Sequence, residues 1–188
     1  MLCFKQANHK IPRRISGFHR ENCAKFYFFM QKIYLFYSLT HGNICMAIMI
    51  RTAIMADAAA IAELSGQLGY AANRDAIEER LTALIHHDEH CVYVAVLDDM
   101  VAGWIHGCYV LRVETDRFVE IGGLVVHEAY RNRGIGKELV ETVIRWAETR
   151  QCRRIRVRCN VIRRESHRFY ERIGFIENKQ QKVVLHFD

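Results

Sequence analysis

Proline is nearly absent: the chain has one in 188 residues, Pro12. It also lacks internal repeats and low-complexity linkers, and its length suits one domain with a sizeable core. Cysteine occurs seven times but never as a C-x-x-C pair, and the odd count argues against a disulfide framework. A reduced, cytoplasmic protein is the expectation. Long apolar runs are missing as well. The most hydrophobic stretch, residues 26–37, is interrupted by Lys32 and flanked by Lys25, which leaves it too short to span a bilayer. Thr40, His41, Gly42 and Asn43 follow it and make a poor cleavage site, so a secretory signal peptide is not indicated.

The formal net charge of +6 is unevenly placed. Residues 1–45 hold seven Lys or Arg and a single acid, Glu21, so residues 46–188 carry 20 basic and 20 acidic residues and are neutral. No nucleic-acid partner is expected of that neutral part. Residues 1–45 read as a basic aromatic leader outside the fold and 46–188 as the domain, with Met46 or Met49 expected as the physiological start. A basic aromatic helix lying on a membrane surface is the alternative for the leader; stable insertion is not expected.

Hydrophobic periodicity and turn chemistry divide the rest into alternating elements. Residues 47–54 read as a strand. Asp57 is expected to cap a helix to about Leu68 that buries Ile61, Leu64 and Leu68, and Asn73 or Asp75 starts a second helix with Ile77, Leu81, Leu84 and Ile85. Strands 91–97 and 101–111 are joined by Asp98 and Asp99, a hairpin signal. A strand over 118–126 precedes a glycine turn and a helix over 134–150. Residues 154–159 alternate strictly, with Ile155, Val157 and Cys159 on one face and Arg154, Arg156 and Arg158 on the other. A helix over 165–173 and a strand over 183–187 complete the series.

The turn Arg131-Asn132-Arg133-Gly134-Ile135-Gly136 is the most informative segment. It lies between a strand and a helix whose Ile135, Leu139, Val143 and Ala147 recur every four residues. Free backbone N–H groups at the positive end of a helix dipole receive phosphate or pyrophosphate. Gly134 and Gly136 remove side chains that would hold a ligand off the backbone, while Arg131 and Arg133 add charge. A P-loop would need glycine at 131 and Ser or Thr at 138, where this chain has Arg131 and Glu138. A dinucleotide fingerprint would need a small residue at 139, which is Leu139. A plain helix-capping turn is the remaining alternative.

Arg-x-x-Gly-x-Gly resembles the acetyl-CoA pyrophosphate loop of the GNAT superfamily of N-acetyltransferases. Downstream, Arg168-Phe169-Tyr170-Glu171-Arg172-Ile173-Gly174-Phe175 is similar to that superfamily's aromatic helix ending, with Gly174 as the helix C′ residue and Phe175 opening the next strand. Glu120, fourteen residues before Gly134, has the spacing of the general-base glutamate of the histone-acetylating branch. The resemblance runs from about Ile50 to Asp188. It implies a mixed α/β fold, a twisted mixed sheet of six to seven strands flanked by about four helices.

The resemblance further implies direct acetyl transfer from acetyl-CoA, as co-substrate, to a primary amine in a ternary complex. The acceptor is a small-molecule or peptide amine. The sheet is expected to splay beside Leu124, Val125 and Val126, whose backbone groups would hold the pantetheine arm. The segment from Arg131 to Lys137, with Asn132, Arg133, Gly134, Ile135 and Gly136 between, would hold the pyrophosphate. Asn160 and Ser166 would contact the cofactor, with plain capping as their alternative. Glu120, or a water it holds, is the candidate base, served by a pKa raised through partial burial; a structural carboxylate paired with arginine is the alternative. Tyr170 is the candidate acid at the CoA sulfur, with simple packing as its alternative. A catalytically silent acyl-CoA-binding sensor module is the rival for the whole chain. The resemblance leaves a homodimer open, and it leaves the acceptor unnamed, because the substrate wall around residues 68–72 and the strand hairpin is where the family varies most.

Other features carry less. His86-His87-x-x-His90 has no cysteine or paired carboxylate to complete a ligand set, so no metal is expected. Arg153, Arg154, Arg156 and Arg158 read as a solvated face, or as a patch for an acidic substrate. Cys91, Cys108 and Cys159 read as small core residues, with an acetyl-cysteine role at Cys159 as the alternative.

Overall fold

Runs rich in Val, Ile and aromatic residues form five strands, and the four-residue apolar repeats form helices between them. The computed structural model describes residues 48–69, 73–181, 184 and 186. The leader 1–45, the wall residues Tyr70, Ala71 and Ala72, and most of the expected strand 183–187 lie outside the described residues. The elements are β1 (Met49–Thr52), α1 (Ala58–Gly66), α2 (Arg74–Ile85), β2 (His90–Leu97), β3 (Met100–Val110), β4 (Phe118–Val126), α3 (Ile135–Thr149), β5 (Ile155–Val157) and α4 (Arg164–Arg172). Five strands thus stand against the six to seven expected, and four α-helices against about four, among the described residues.

The sheet order is β1-β2-β3-β4-β5. The first four strands pair antiparallel and β5 joins β4 in parallel, reached through α3. Asp98 and Asp99 both take positive φ, 47° and 62°, which a two-residue hairpin of matching twist requires. Asn73 caps α2 by accepting the Ala76 N–H at 2.8 Å. Asp57 does not cap α1. Its carboxylate takes both terminal nitrogens of Arg51 (2.6 and 2.8 Å) and the Ile54 N–H (2.8 Å), which closes the turn before the helix.

Alternation along the strands sends two sets of side chains to opposite faces. One face packs Val92, Val94 and Val96 under α1 and α2, with Ile61 and Leu81. The other packs Ile105, Val119 and Ile121 against Ile135, Leu139, Val140, Val143 and Ala147 of α3 and Tyr170 of α4. The expected α3 stripe is therefore the core stripe. Burying Leu139 and Val143 completely removes roughly 2 kcal/mol worth of apolar surface per side chain from water.

Two irregularities place the site. His106 of β3 faces Gly123 of β4 whereas Gly107 faces Ile121, so Gly122 is the extra residue of a β-bulge. On the other edge of β4, pairing with β5 covers Val119, Glu120 and Ile121 and stops there. From Gly122 to Val126 the β4 edge has no β5 partner among the described residues. The sheet opens at the bulge, beside Leu124, Val125 and Val126.

Candidate active site

The turn after β4 is shaped by its backbone. Asn132 and Gly134 both have positive φ, 62° and 83°. A Cβ built on Gly134 would meet nothing within 4 Å, so the turn is open on the side a ligand would approach. Gly134 caps α3, and its carbonyl accepts the Glu138 N–H at 3.1 Å. Helix geometry leaves the N–H groups of Ile135, Gly136 and Lys137 without intrahelical acceptors. Gly136 is glycine for a different reason: a Cβ there would lie 3.1 Å from the Phe169 ring, which packs α4 against the start of α3. An anion-receiving turn and an unpaired strand edge thus lie side by side. This fits a ligand with a pyrophosphate and an extended amide arm.

The charges are arranged less simply than the motif suggested. The Arg131 Nε donates to the Val126 carbonyl (3.2 Å) and its Nη2 to Gln67 Oε1 (3.4 Å), so its side chain braces the turn against α1. Arg133 lies over the Tyr130 ring, 5.4 Å from its centroid, and Lys137 pairs with Glu141 at 3.6 Å. On the far side of the opening Arg163 donates to the Leu68 carbonyl, so two arginines tie the end of α1 across the gap.

On the face carrying α1 and α2, strand register builds a polar row. His90 faces Cys108, Cys108 faces Glu120, and Glu120 faces Arg156, one rung across four strands. Glu120 is buried, at 7% exposure. Arg156 donates Nε to Oε2 at 2.9 Å and Nη2 to the same oxygen; Arg158 donates Nε to Oε1 at 2.9 Å. The Arg156 guanidinium also lies 4.1 Å from the Phe118 ring centroid. Burial alone would raise the Glu120 pKa. The two guanidiniums outweigh burial and hold it below the ordinary carboxylate value. The raised pKa expected of Glu120 is therefore corrected in sign, and two of the four arginines read as a solvated face or acidic-substrate patch are committed to this carboxylate.

Tyr170 lies at the opposite face, in the core with α3. Its ring meets Phe169 edge-on at 5.0 Å and Phe175 at 5.2 Å, and burial pushes its phenol pKa up. Gly174, at φ 95°, ends α4. Its N–H bonds the Glu171 carbonyl and the Phe175 N–H bonds the Tyr170 carbonyl, a Schellman closure. Phe175 folds back onto Tyr170, and no strand begins there among the described residues. The expected strand start at Phe175 is therefore not found.

The sequence profile of the Acetyltransferase (GNAT) family matches residues 58–175. The chain belongs to the GNAT family. An uncharacterized N-acetyltransferase of Chlorobaculum tepidum is 34% identical over 95 residues, 49% of this chain and 55% of that protein, so the chain spans about half the length of this curated relative. Among solved structures, the aminoglycoside N-acetyltransferase AAC(6')-Iy in complex with CoA shares the fold with a TM-score of 0.65 at 20% identity, covering 76% of this chain and 95% of that one. Glucosamine-6-phosphate N-acetyltransferase from Arabidopsis thaliana does so at 0.62 and 22%, covering 76% and 99%.

Within this GNAT domain the expected residues fall into three groups. Leu124, Val125, Val126 and the turn from Arg131 to Lys137 border one opening. Asn160 sits in the β5–α4 connection and Ser166 in the first turn of α4. The Asn160 Oδ1 accepts the Ile162 N–H at 3.2 Å, and the Ser166 N–H bonds the Arg163 carbonyl, both local turn bonds. Glu120 and Tyr170 lie on opposite faces of the sheet. Burial raises the Cys159 thiol pKa, which opposes the acetyl-cysteine alternative. Among the described residues no group of three or more His, Cys, Asp or Glu could hold a metal. No helix among them is long and apolar enough to cross a membrane.

Sequence reading missed His106 and Trp104. Both lie on the α1/α2 face beside the bulge: a Cβ on Gly122 would meet His106 Nδ1 at 3.1 Å, and one on Gly123 the Trp104 ring at 2.7 Å. Trp104 Nε1 is buried with no partner. Alternation in β3 puts Trp104, His106 and Cys108 on one face and was legible; their placement at the opening depends on register.

Proposed function

We propose that this protein transfers an acetyl group from acetyl-CoA to a primary amine by direct attack in a ternary complex. The observation that carries the reading is the meeting of an open, positive-φ glycine turn at a helix start with a strand edge that loses its partner at a bulge. Gly134, Ile135, Gly136 and Lys137 bind the pyrophosphate through backbone N–H groups, aided by Asn132 and the charge of Arg133. Arg131 holds the turn in place. Leu124, Val125 and Val126 hold the pantetheine arm, with Asn160 and Ser166 at its other side, and a backbone N–H polarises the thioester carbonyl.

Tyr170 gives its proton to the leaving thiolate; its high pKa keeps that proton on the phenol until the thiolate forms. Glu120 serves this reaction as a positioning residue. Its two oxygens are engaged by Arg156 and Arg158, so it anchors β5 to β4 one rung before the Ile121–Val157 pair that ends the ladder, and it takes no proton itself. The acceptor amine belongs to a small molecule or a peptide. The relatives named for aminoglycoside and glucosamine-6-phosphate acetylation make amino sugars the first acceptors to test.

The test is CoA-thiol release from acetyl-CoA with tobramycin, spermidine, L-lysine and a lysine-containing peptide, beside calorimetry of acetyl-CoA binding. Transfer to one of them is expected, with kcat lowered roughly 10²-fold by Tyr170→Phe and acetyl-CoA affinity kept. Binding without release to any amine would instead favour the silent acyl-CoA sensor.

A further inference from the structure

An ammonium acceptor must lose a proton before its nitrogen can attack, and with Glu120 engaged by two arginines that proton needs another route. We propose that His106 and His90 form a relay that takes this proton beside the Gly122 bulge and passes it to solvent; the proposal rests on the acetyltransferase reading above. His90 Nδ1 and His106 Nε2 are 3.0 Å apart, and the two rings stack at 5.2 Å. The other nitrogen of His106, Nδ1, points at the bulge, 3.1 Å from where a Gly122 Cβ would be. It has no hydrogen-bond partner among the described residues. Trp104 Nε1 is the one side-chain nitrogen or oxygen sealed from solvent without a partner there, so Nδ1 keeps solvent access. At its outer end the pair reaches the surface: His90 is half-buried and the exposed His87 ring meets it edge-on at 4.7 Å.

This geometry gives the relay an inner nitrogen at the point where β5 leaves β4 and an outer nitrogen near water. His106 Nδ1 accepts the ammonium proton, the Nε2 proton of His106 moves to His90 Nδ1, and His90 releases its Nε2 proton to solvent. When product leaves, His90 takes a proton from outside at Nε2 and returns its Nδ1 proton to His106 Nε2; water entering the site then takes the Nδ1 proton of the resulting His106 imidazolium, which restores both starting tautomers.

The charged and titratable groups around the pair leave it proton-free at neutral pH. Burial, followed by the neighbouring His90, brings the His106 pKa down to about 4. Burial and His87 lower that of His90, against a smaller opposing effect of Glu89. On the same face Cys108 is a thiol raised by burial, and the charge of Glu120 is matched by Arg156 and Arg158. A proton on His106 is thus short-lived and moves outward.

The test uses the full chain and whichever of tobramycin, spermidine, L-lysine and the lysine peptide is turned over fastest. His106→Gln should lower kcat/KM roughly 10²-fold at pH 7, the usual scale of one proton-transfer group. The deficit should shrink to within about threefold above the amine's own pKa, where the acceptor arrives neutral and needs no base. His90→Asn should show the same pH pattern with a smaller deficit, and the double variant should be no worse than His106→Gln, because the two act in series. Acetyl-CoA affinity by calorimetry should stay at the wild-type value. A deficit of equal size at every pH, or none at all, overturns the relay. If His106→Gln fails to melt cooperatively, the pH profile of the half-buried His90→Asn decides by the same criterion. A wild-type protein that binds acetyl-CoA yet acetylates no amine refutes the acetyltransferase reading itself, and the relay with it.

Discussion

Lowering the pH from 7 to 5 should weaken this domain, and one imidazole should account for most of the loss. His106 is held at about 4 by burial and by the adjacent His90, against 6.5 for an ordinary histidine. Its folded pKa is depressed, so the unfolded chain takes the proton first. The stability it contributes is complete above about pH 6.5 and is lost as the pH falls from there toward about 4. At about 1.4 kcal/mol per pH unit, the gap is worth about 3 kcal/mol once fully titrated, and about 2 kcal/mol of that goes between pH 7 and pH 5. His90 is lowered too and acts in the same direction. The ion-paired carboxylates Glu120 and Asp57 are held below their ordinary values and titrate outside this window. Urea unfolding followed by tryptophan fluorescence at pH 7, 6 and 5, without acetyl-CoA, measures the effect. His106→Gln should flatten the pH dependence by about 2 kcal/mol while leaving a cooperative transition. Equal wild-type stability at pH 7 and 5, or an unchanged slope in the variant, refutes the argument that this partly buried imidazole is proton-free.

Gly134→Val adds a branched side chain at φ 83° on the open side of the turn, so acetyl-CoA affinity should fall by about 2 kcal/mol on a folded protein, read by calorimetry. Glu120→Gln leaves Arg156 and Arg158 facing each other without their anion. Both guanidiniums are partly exposed, so the stability loss at pH 7 should be about 1–3 kcal/mol, short of the cost of a fully buried unpaired charge. Because the Glu120 pKa is lowered by folding, that contribution is present above the ordinary carboxylate value and is lost progressively as the pH falls below it toward the lowered folded value; the gap in urea midpoint between wild type and variant should therefore be smaller at pH 3 than at pH 7. A chain shortened to begin at Met46 should melt cooperatively and bind acetyl-CoA as the full chain does; weaker binding would assign residues 1–45 a part in the site.

Short-range signals settled the elements and their faces. The α3 stripe of Ile135, Leu139, Val143 and Ala147, the Asp98–Asp99 hairpin, the Asn73 cap and the Gly174 helix end are all local in cause: each needs only a few neighbouring residues to decide backbone angle or face. The glycine turn was legible for the same reason, since positive φ and free N–H groups belong to a strand–turn–helix segment wherever it occurs. Asp57 shows the limit even at short range. Its place before a helix suggested a cap, yet Arg51 competes for its carboxylate and wins with two charge-assisted bonds.

The site's chemistry was decided by pairing over long sequence distances. A sequence shows that Arg154, Arg156 and Arg158 share a face, but only the parallel register of β5 on β4 puts Arg156 opposite Glu120, thirty-six residues away, and reverses the expected direction of its pKa. One extra residue at Gly122 moves His106 beside the opening. Antiparallel pairing of β2 with β3 brings His90 within hydrogen-bond distance of it, which no spacing of the histidines announced. Periodicity determines which side of a strand a residue faces. Which residues share that side is set by register, and a single bulge changes register for everything beyond it.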